Sequence, residues 1–87
     1  MTQGVNMNCI SKAVALRILE LLKKNKITRY QLEKKSCISH DTLKSIIKGK
    51  TKGVNLKTIL LIADGFNMTI SEFLDSDLFK YENLNFD

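Results

Sequence analysis

Four times in a chain of 87 residues, a threonine, serine or asparagine stands directly before a short amphipathic run. Thr28, Ser39, Asn55 and Thr69 are all residues whose side-chain oxygens accept from the unpaired amides of a helix's first turn. Gln31 follows Thr28 by three positions and Glu72 follows Thr69 by three, the reciprocal pattern of a capping box. No proline interrupts any of these runs. Punctuation this regular restricts the chain to a set of short helices packed on one another, an all-α domain.

Hydrophobic spacing predicts where the helices lie. Val14, Ile18, Leu21 and Leu22, widened by Ala15 and Leu19, form an apolar stripe over residues 12–24. A second helix is expected to run from Arg29 to about Lys35. A third covers residues 40–48, with Leu43, Ile46 and Ile47 on its inner face and Gly49 as a left-handed terminator. In the fourth, after Asn55, the residues Leu56, Ile59, Leu60, Ala63 and Phe66 share a side with Ile62 beside them, and Asn67 ends it. That register places Leu61 near the pole opposite the core. A short fifth helix passes through Phe73 and Leu74 to about Asp75, and the remainder has Phe79, Tyr81, Leu84 and Phe86 without firm periodicity. The division expected is an N-terminal arm over residues 1–11, a helical domain over 12–75 and a tail over 76–87.

Composition narrows the function. With 44% hydrophobic residues, 7% aromatic and no tryptophan, the core must be aliphatic. No apolar run reaches the roughly 18 residues of a membrane span, and residues 1–11 lack the apolar stretch of a secretory signal. Cys9 and Cys37 are too few for a disulfide framework. The expectation is a soluble cytoplasmic protein with no cofactor, no metal and no small-molecule ligand.

Charge is divided along the chain. Residues 1–57 carry 13 basic side chains against Glu20, Glu33 and Asp41, a net of +10, whereas residues 58–87 carry Lys80 against six carboxylates, a net of −5. Clustered lysines attract a polyanion and the carboxylates turn away from it. A lysine-rich surface serving only solubility would give the same count.

The second and third helices, joined by a three- or four-residue turn, make a helix-turn-helix. At 100° per residue, the side opposite Leu43, Ile46 and Ile47 holds Asp41, Ser45 and Lys48, with Lys44 beside them and His40 and Thr42 flanking the first turn. These are short donors and acceptors at a helix start, where such a helix meets base edges. Lys44, Lys48, Lys50, Lys52 and Lys57 surround them within reach of phosphates, and the helix starts near Thr28 and Asn55 add backbone anion sites.

The run ITRYQLEKKSCISHDTLKSIIKGK over residues 27–50, followed by NLKTILLIADGFNMTISEFL over 55–74, resembles the lambda-repressor/Cro-like helix-turn-helix family, also called the xenobiotic-response-element family. The resemblance covers about two thirds of the chain. It rests on the joint spacing of Thr28, Leu32, Ile38, Ser39, Thr42, Leu43, Ile46, Gly49, Thr58, Ile62, Ala63, Thr69 and Glu72. It implies a five-helix DNA-binding domain whose partner is double-stranded DNA, with Arg29 and Ser39 anchoring phosphates and His40, Asp41, Lys44 and Ser45 at base-reading or groove-facing positions. It also implies two-fold dimers built through the last helices; Leu61, Phe79 and Tyr81 are the candidate contacts, the alternative being a tail folded back on its own monomer.

Three positions depart from the family's pattern. Cys37 stands where the turn usually has glycine, so a side chain is expected at positive φ. Glu33 replaces a small residue between the two helices, and either holds them apart or swings its carboxylate outward. Leu22 and Ile47 occupy places where many members pair an arginine with a glutamate; two apolar side chains touching there are a tolerated replacement.

Other readings of the same residues are weaker. Ser39-His40-Asp41 spells a catalytic triad, but consecutive helical side chains diverge by 100° and cannot bond in series. Cys9, Cys37 and His40 are scattered thiols and an imidazole rather than a metal site. Lys23, Lys24 and Lys26 suit a solvated helix C-terminus. An enzyme is disfavoured for want of a convergent acid, base or nucleophile. A protein-interaction module, such as an antitoxin in which DNA binding is secondary, is the alternative to a transcriptional regulator.

Overall fold

Every expected cap is made. Thr28 Oγ1 accepts from the Gln31 amide at 3.1 Å while Gln31 Oε1 accepts from the Thr28 amide at 2.8 Å. Thr69 and Glu72 repeat that exchange, Ser39 Oγ accepts from the Thr42 amide, and Asn55 Oδ1 accepts from the Thr58 amide. The computed structural model describes residues 9–50, 53–80, 82 and 84. In it these caps open α2 (Arg29–Ser36), α3 (His40–Ile47), α4 (Leu56–Gly65) and α5 (Ile70–Leu74), preceded by α1 (Ile10–Asn25) and followed by a 3-10 turn at Asp77–Phe79. The protein is an all-α, five-helix domain.

The helix ends are as specific as the starts. Gly49 at φ 69° lets its amide reach Ile46 O and the Lys50 amide reach Ser45 O, a Schellman closure of α3. Asn67 at φ 59° does the same for α4, with Met68 bonding back to Ala63. Lys26 closes α1 in the left-handed region without being glycine, and its partner bond runs from Ile27 to Leu22.

Packing pairs α1 with α3, α2 with α3 and α4, α4 with α5, and the 3-10 turn with α1. Val14, Ile18, Leu32, Leu43, Ile62 and Phe73 are fully buried at the centre. Each such side chain contributes roughly 1.5–3 kcal/mol relative to exposure. Arg17 ties the last helix to the first: its Nε donates to Phe73 O at 2.7 Å, Nη2 to Glu72 O at 3.0 Å, and Nη1 pairs with Glu20. One of the 13 basic side chains of residues 1–57 is therefore structural.

The register of α4 differs from the one that its hydropathy predicts. Its buried side chains are Ile59, Ile62, Ala63 and Phe66, whereas Leu56 and Leu60 are 68% and 53% exposed. Leu61, expected opposite the core, is half-buried and packs against it. A Cβ at Gly65 would lie 2.9 Å from Leu32 Cδ1 and 3.0 Å from Ser36 Cβ, so this glycine marks the place where α4 crosses α2 in close contact. The core face runs through Ile59, Ile62, Ala63 and Phe66 and leaves Leu56 and Leu60 outside it, and glycine carries no hydropathy signal for such a close approach.

Residues at the start of the expected tail also pack inward. Phe79 is half-buried, meets Phe73 with ring centroids 6.1 Å apart and planes tilted by 40°, and packs against the core, and Leu84 is buried. Leu61 and Phe79 thus make contacts inside their own chain, where subunit contacts were expected. Tyr81 lies outside the described residues.

Candidate nucleic-acid interface

The angle between α2 and α3 is set by the turn 37–39. Leu32, Ile38 and Leu43 are buried and form its apolar hinge. Cys37 takes φ 61° and ψ 30°, its amide bonding to Glu33 O at 3.0 Å. The β-carbon expected at positive φ is present, and the helix ends in the left-handed geometry that glycine would adopt without steric cost.

Glu33 does not force the helices apart. Its side chain is 14% exposed and reaches across the turn, placing Oε2 2.7 Å from Nδ1 of His40. The carboxylate thus fixes the imidazole at the first position of α3. With Nδ1 committed, Nε2 is the ring nitrogen left for a ligand, an acceptor when the ring is neutral and a donor when it is charged. Nothing in the spacing of the sequence identified this pair, because the two residues belong to different helices and meet only through the turn.

Leu43 and Ile46 are buried, so the outward pole of α3 falls between Asp41 and Lys48, with Lys44 and Ser45 to either side. His40, Asp41, Thr42, Lys44 and Lys48 are exposed and Ser45 is half-buried. Ser39 donates its hydroxyl to Thr42 Oγ1 at 2.8 Å as well as accepting from the Thr42 amide, which leaves the Thr42 hydroxyl proton available to a ligand. Asp41 sits in the first turn, where the helix dipole favours a carboxylate. His40 turns to Glu33 and Ser39 to Thr42, so the Ser39, His40 and Asp41 side chains do not form a relay.

A field of positive charge surrounds this strip. The Lys48 ammonium is pushed below its ordinary range, chiefly by Lys44, then by Lys50, by partial desolvation and by Arg29. Repulsion from Arg29 is informative, because that residue starts α2 while Lys48 follows α3. Cations from separate elements therefore act on one region. The caps contribute as well: Thr28 and Asn55 use an oxygen to accept from the backbone, leaving the Thr28 hydroxyl proton and the Asn55 amide protons as donors. Lys57 is exposed in the first turn of α4. Lys52 lies outside the described residues.

Ile47 is half-buried against the same core as Leu22, and it lines a depression of about 250 Å³ with Ala15, Leu16 and Leu19 of α1. Lys12 and Lys48 stand at the same depression, and Leu22 is buried in the core. Among the described residues, no helix is long and apolar enough to cross a membrane.

A family model described as the Cro/C1-type HTH DNA-binding domain matches residues 17–81. Comparison with curated proteins and with solved structures gave no match.

Proposed function

Since the chain belongs to the Cro/C1-type helix-turn-helix DNA-binding family, we propose that it is a sequence-specific transcriptional regulator that binds double-stranded DNA as a two-fold dimer in the cytoplasm and acts as a repressor. Its mechanism is binding without chemistry. α3 enters the major groove, where His40, Asp41, Thr42, Lys44 and Ser45 read base edges. Thr28, Arg29, Ser39, Lys48, Lys50, Lys52 and Asn55 hold phosphates on either side.

The observation that carries this reading is the exposed polar face of α3, where His40, Asp41, Thr42, Lys44 and Lys48 stand away from the buried Leu43 and Ile46, with Lys50 and Arg29 exposed close by. A protein that keeps like charges together in the absence of a ligand is arranged for a ligand that neutralises them, and a phosphate backbone does so while releasing its counterions. Asp41 and the Glu33–His40 pair interrupt that field close to the helix start. There they favour a base edge that donates, such as a cytosine amino group, over indiscriminate phosphate contact.

Selection from a random duplex library tests the proposal. A single enriched motif with two-fold symmetry, its half-sites about 34 Å apart, is the expected result. Recovery of duplexes without any common sequence would show that the chain binds nucleic acid by charge alone.

A further inference from the structure

Among the described residues, the exposed side of α4 carries two large apolar side chains together with two charged ones. Leu56 and Leu60 lie one turn apart on it at 68% and 53% exposure, among the most exposed large apolar side chains of the described residues. Lys57 and Asp64 share that side: at 100° per residue the four residues fall within an arc of about 100°. Both charged side chains are exposed, and neither meets an ion-pair partner among the described residues. They are separated by seven positions, about 10 Å along the axis, too far to pair with each other.

We infer that this face is a two-fold contact between copies of the chain, formed by α4 packed antiparallel on α4 of the second copy with Leu60 beside the axis. The occupant follows from the arrangement of charge. Lys57 stands three residues before Leu60 and Asp64 four residues after it, so reversing the helix direction about Leu60 sets Lys57 of each copy opposite Asp64 of the other. An isologous interface requires a patch complementary to itself, and a basic and an acidic residue flanking an apolar centre on one helix meet that condition. Leu56 widens the apolar strip beside the axis. A partner carrying only acidic or only basic charge would leave either Asp64 or Lys57 opposed by its own sign.

This surface rests on and deepens the dimer reading given above, and sets the contact on α4 rather than on Leu61 and Phe79, which are half-buried against their own core. One helix face is a small interface, so the pair forms at high protein concentration and is strengthened on a duplex with two half-sites.

The test is made without DNA, so that its failure leaves the groove assignment of α3 standing. Sedimentation equilibrium of the full chain at high micromolar concentration is expected to show a reversible monomer–dimer system. Leu60→Asp, at an exposed position that the fold tolerates, is expected to be monomeric with an unchanged helical circular dichroism spectrum. Lys57→Glu and Asp64→Lys are each expected to be monomeric alone. Mixed in equal amounts they should pair, because every charged contact across the axis is then between opposite signs. A wild-type chain that stays monomeric, a Leu60→Asp chain that still dimerises, or single charge variants that fail to pair on mixing would each overturn the inference.

Discussion

Glu33 Oε2 lies 2.7 Å from His40 Nδ1, joining the middle of α2 to the first residue of α3 across the turn. The contact places a carboxylate beside α3 and holds an imidazole at its start. Two consequences follow for recognition: one ring nitrogen is oriented, and a negative charge opposes phosphate.

Glu33→Gln is therefore expected to affect cognate and random duplexes in opposite directions. Without the charge-assisted bond the His40 ring is free, and the cognate complex weakens by about 1 kcal/mol, roughly fivefold. Removal of the carboxylate strengthens binding to random duplex. Titration of both duplexes at one salt concentration gives the ratio, which should fall in the variant; an unchanged ratio would remove the pair from recognition.

Lys48 is depressed below its usual 10.5, first by Lys44 and then by Lys50. In the alkaline window between its folded and unfolded values, the folded chain holds fewer protons, so stability rises with pH there. At neutral pH the ammonium is charged in both states and the repulsion is fully present. Lys48→Gln is expected to raise the melting temperature at low salt, by an amount that vanishes at high salt. The same variant should flatten the logarithmic salt dependence of DNA binding by about 0.9, the slope that one neutralised phosphate supplies. Melting curves and binding isotherms over a salt series measure both.

Arg17 donates to the Phe73 and Glu72 carbonyls from a side chain that is 11% exposed. Arg17→Ala removes two charge-assisted bonds to the end of α5 and should cost about 2–4 kcal/mol in denaturant unfolding. Arg17→Lys should recover only part of that stability, because an ammonium cannot reproduce the fork of the guanidinium.

Gly65→Ala places a methyl 2.9 Å from Leu32 Cδ1 and 3.3 Å from the Ser36 backbone nitrogen. Overpacking costs about 1–3 kcal/mol and exceeds the gain of about 1 kcal/mol in helix propensity. Cys37→Gly acts in the opposite sense, relieving a β-carbon held at φ 61° and stabilising by about 1 kcal/mol. Chemical denaturation of the two variants should show shifts of opposite sign.

Local signals account for what was legible in the sequence. Caps at Thr28, Ser39, Asn55 and Thr69 involve residues three apart, so their bonds are written in neighbouring positions. Gly49 and Asn67 announce left-handed ends by residue type. Caps and hydrophobic spacing placed α2 and α3, and a turn of 100° per residue placed the polar face of α3. What was missed depends on contacts between elements. Glu33 and His40 meet only because the turn folds; Gly65 lets α4 approach Leu32 and Ser36 of α2 closely; Arg17 finds carbonyls 55 and 56 positions away. Periodicity within one helix cannot register which of two apolar sides another helix will cover, and so Leu60 and Leu61 were exchanged.

The central claim is that the polar strip of α3 reads bases while the cations around it hold phosphates. Affinity of Ser45→Ala, His40→Ala and Lys50→Ala for a selected duplex, and for that duplex changed one base pair at a time, tests it most directly. Lys50→Ala is expected to weaken every duplex alike. Ser45→Ala and His40→Ala should instead lose about 1–3 kcal/mol of discrimination at particular base pairs and leave the others unaltered. Uniform weakening across all duplexes for the Ser45 and His40 variants would contradict it.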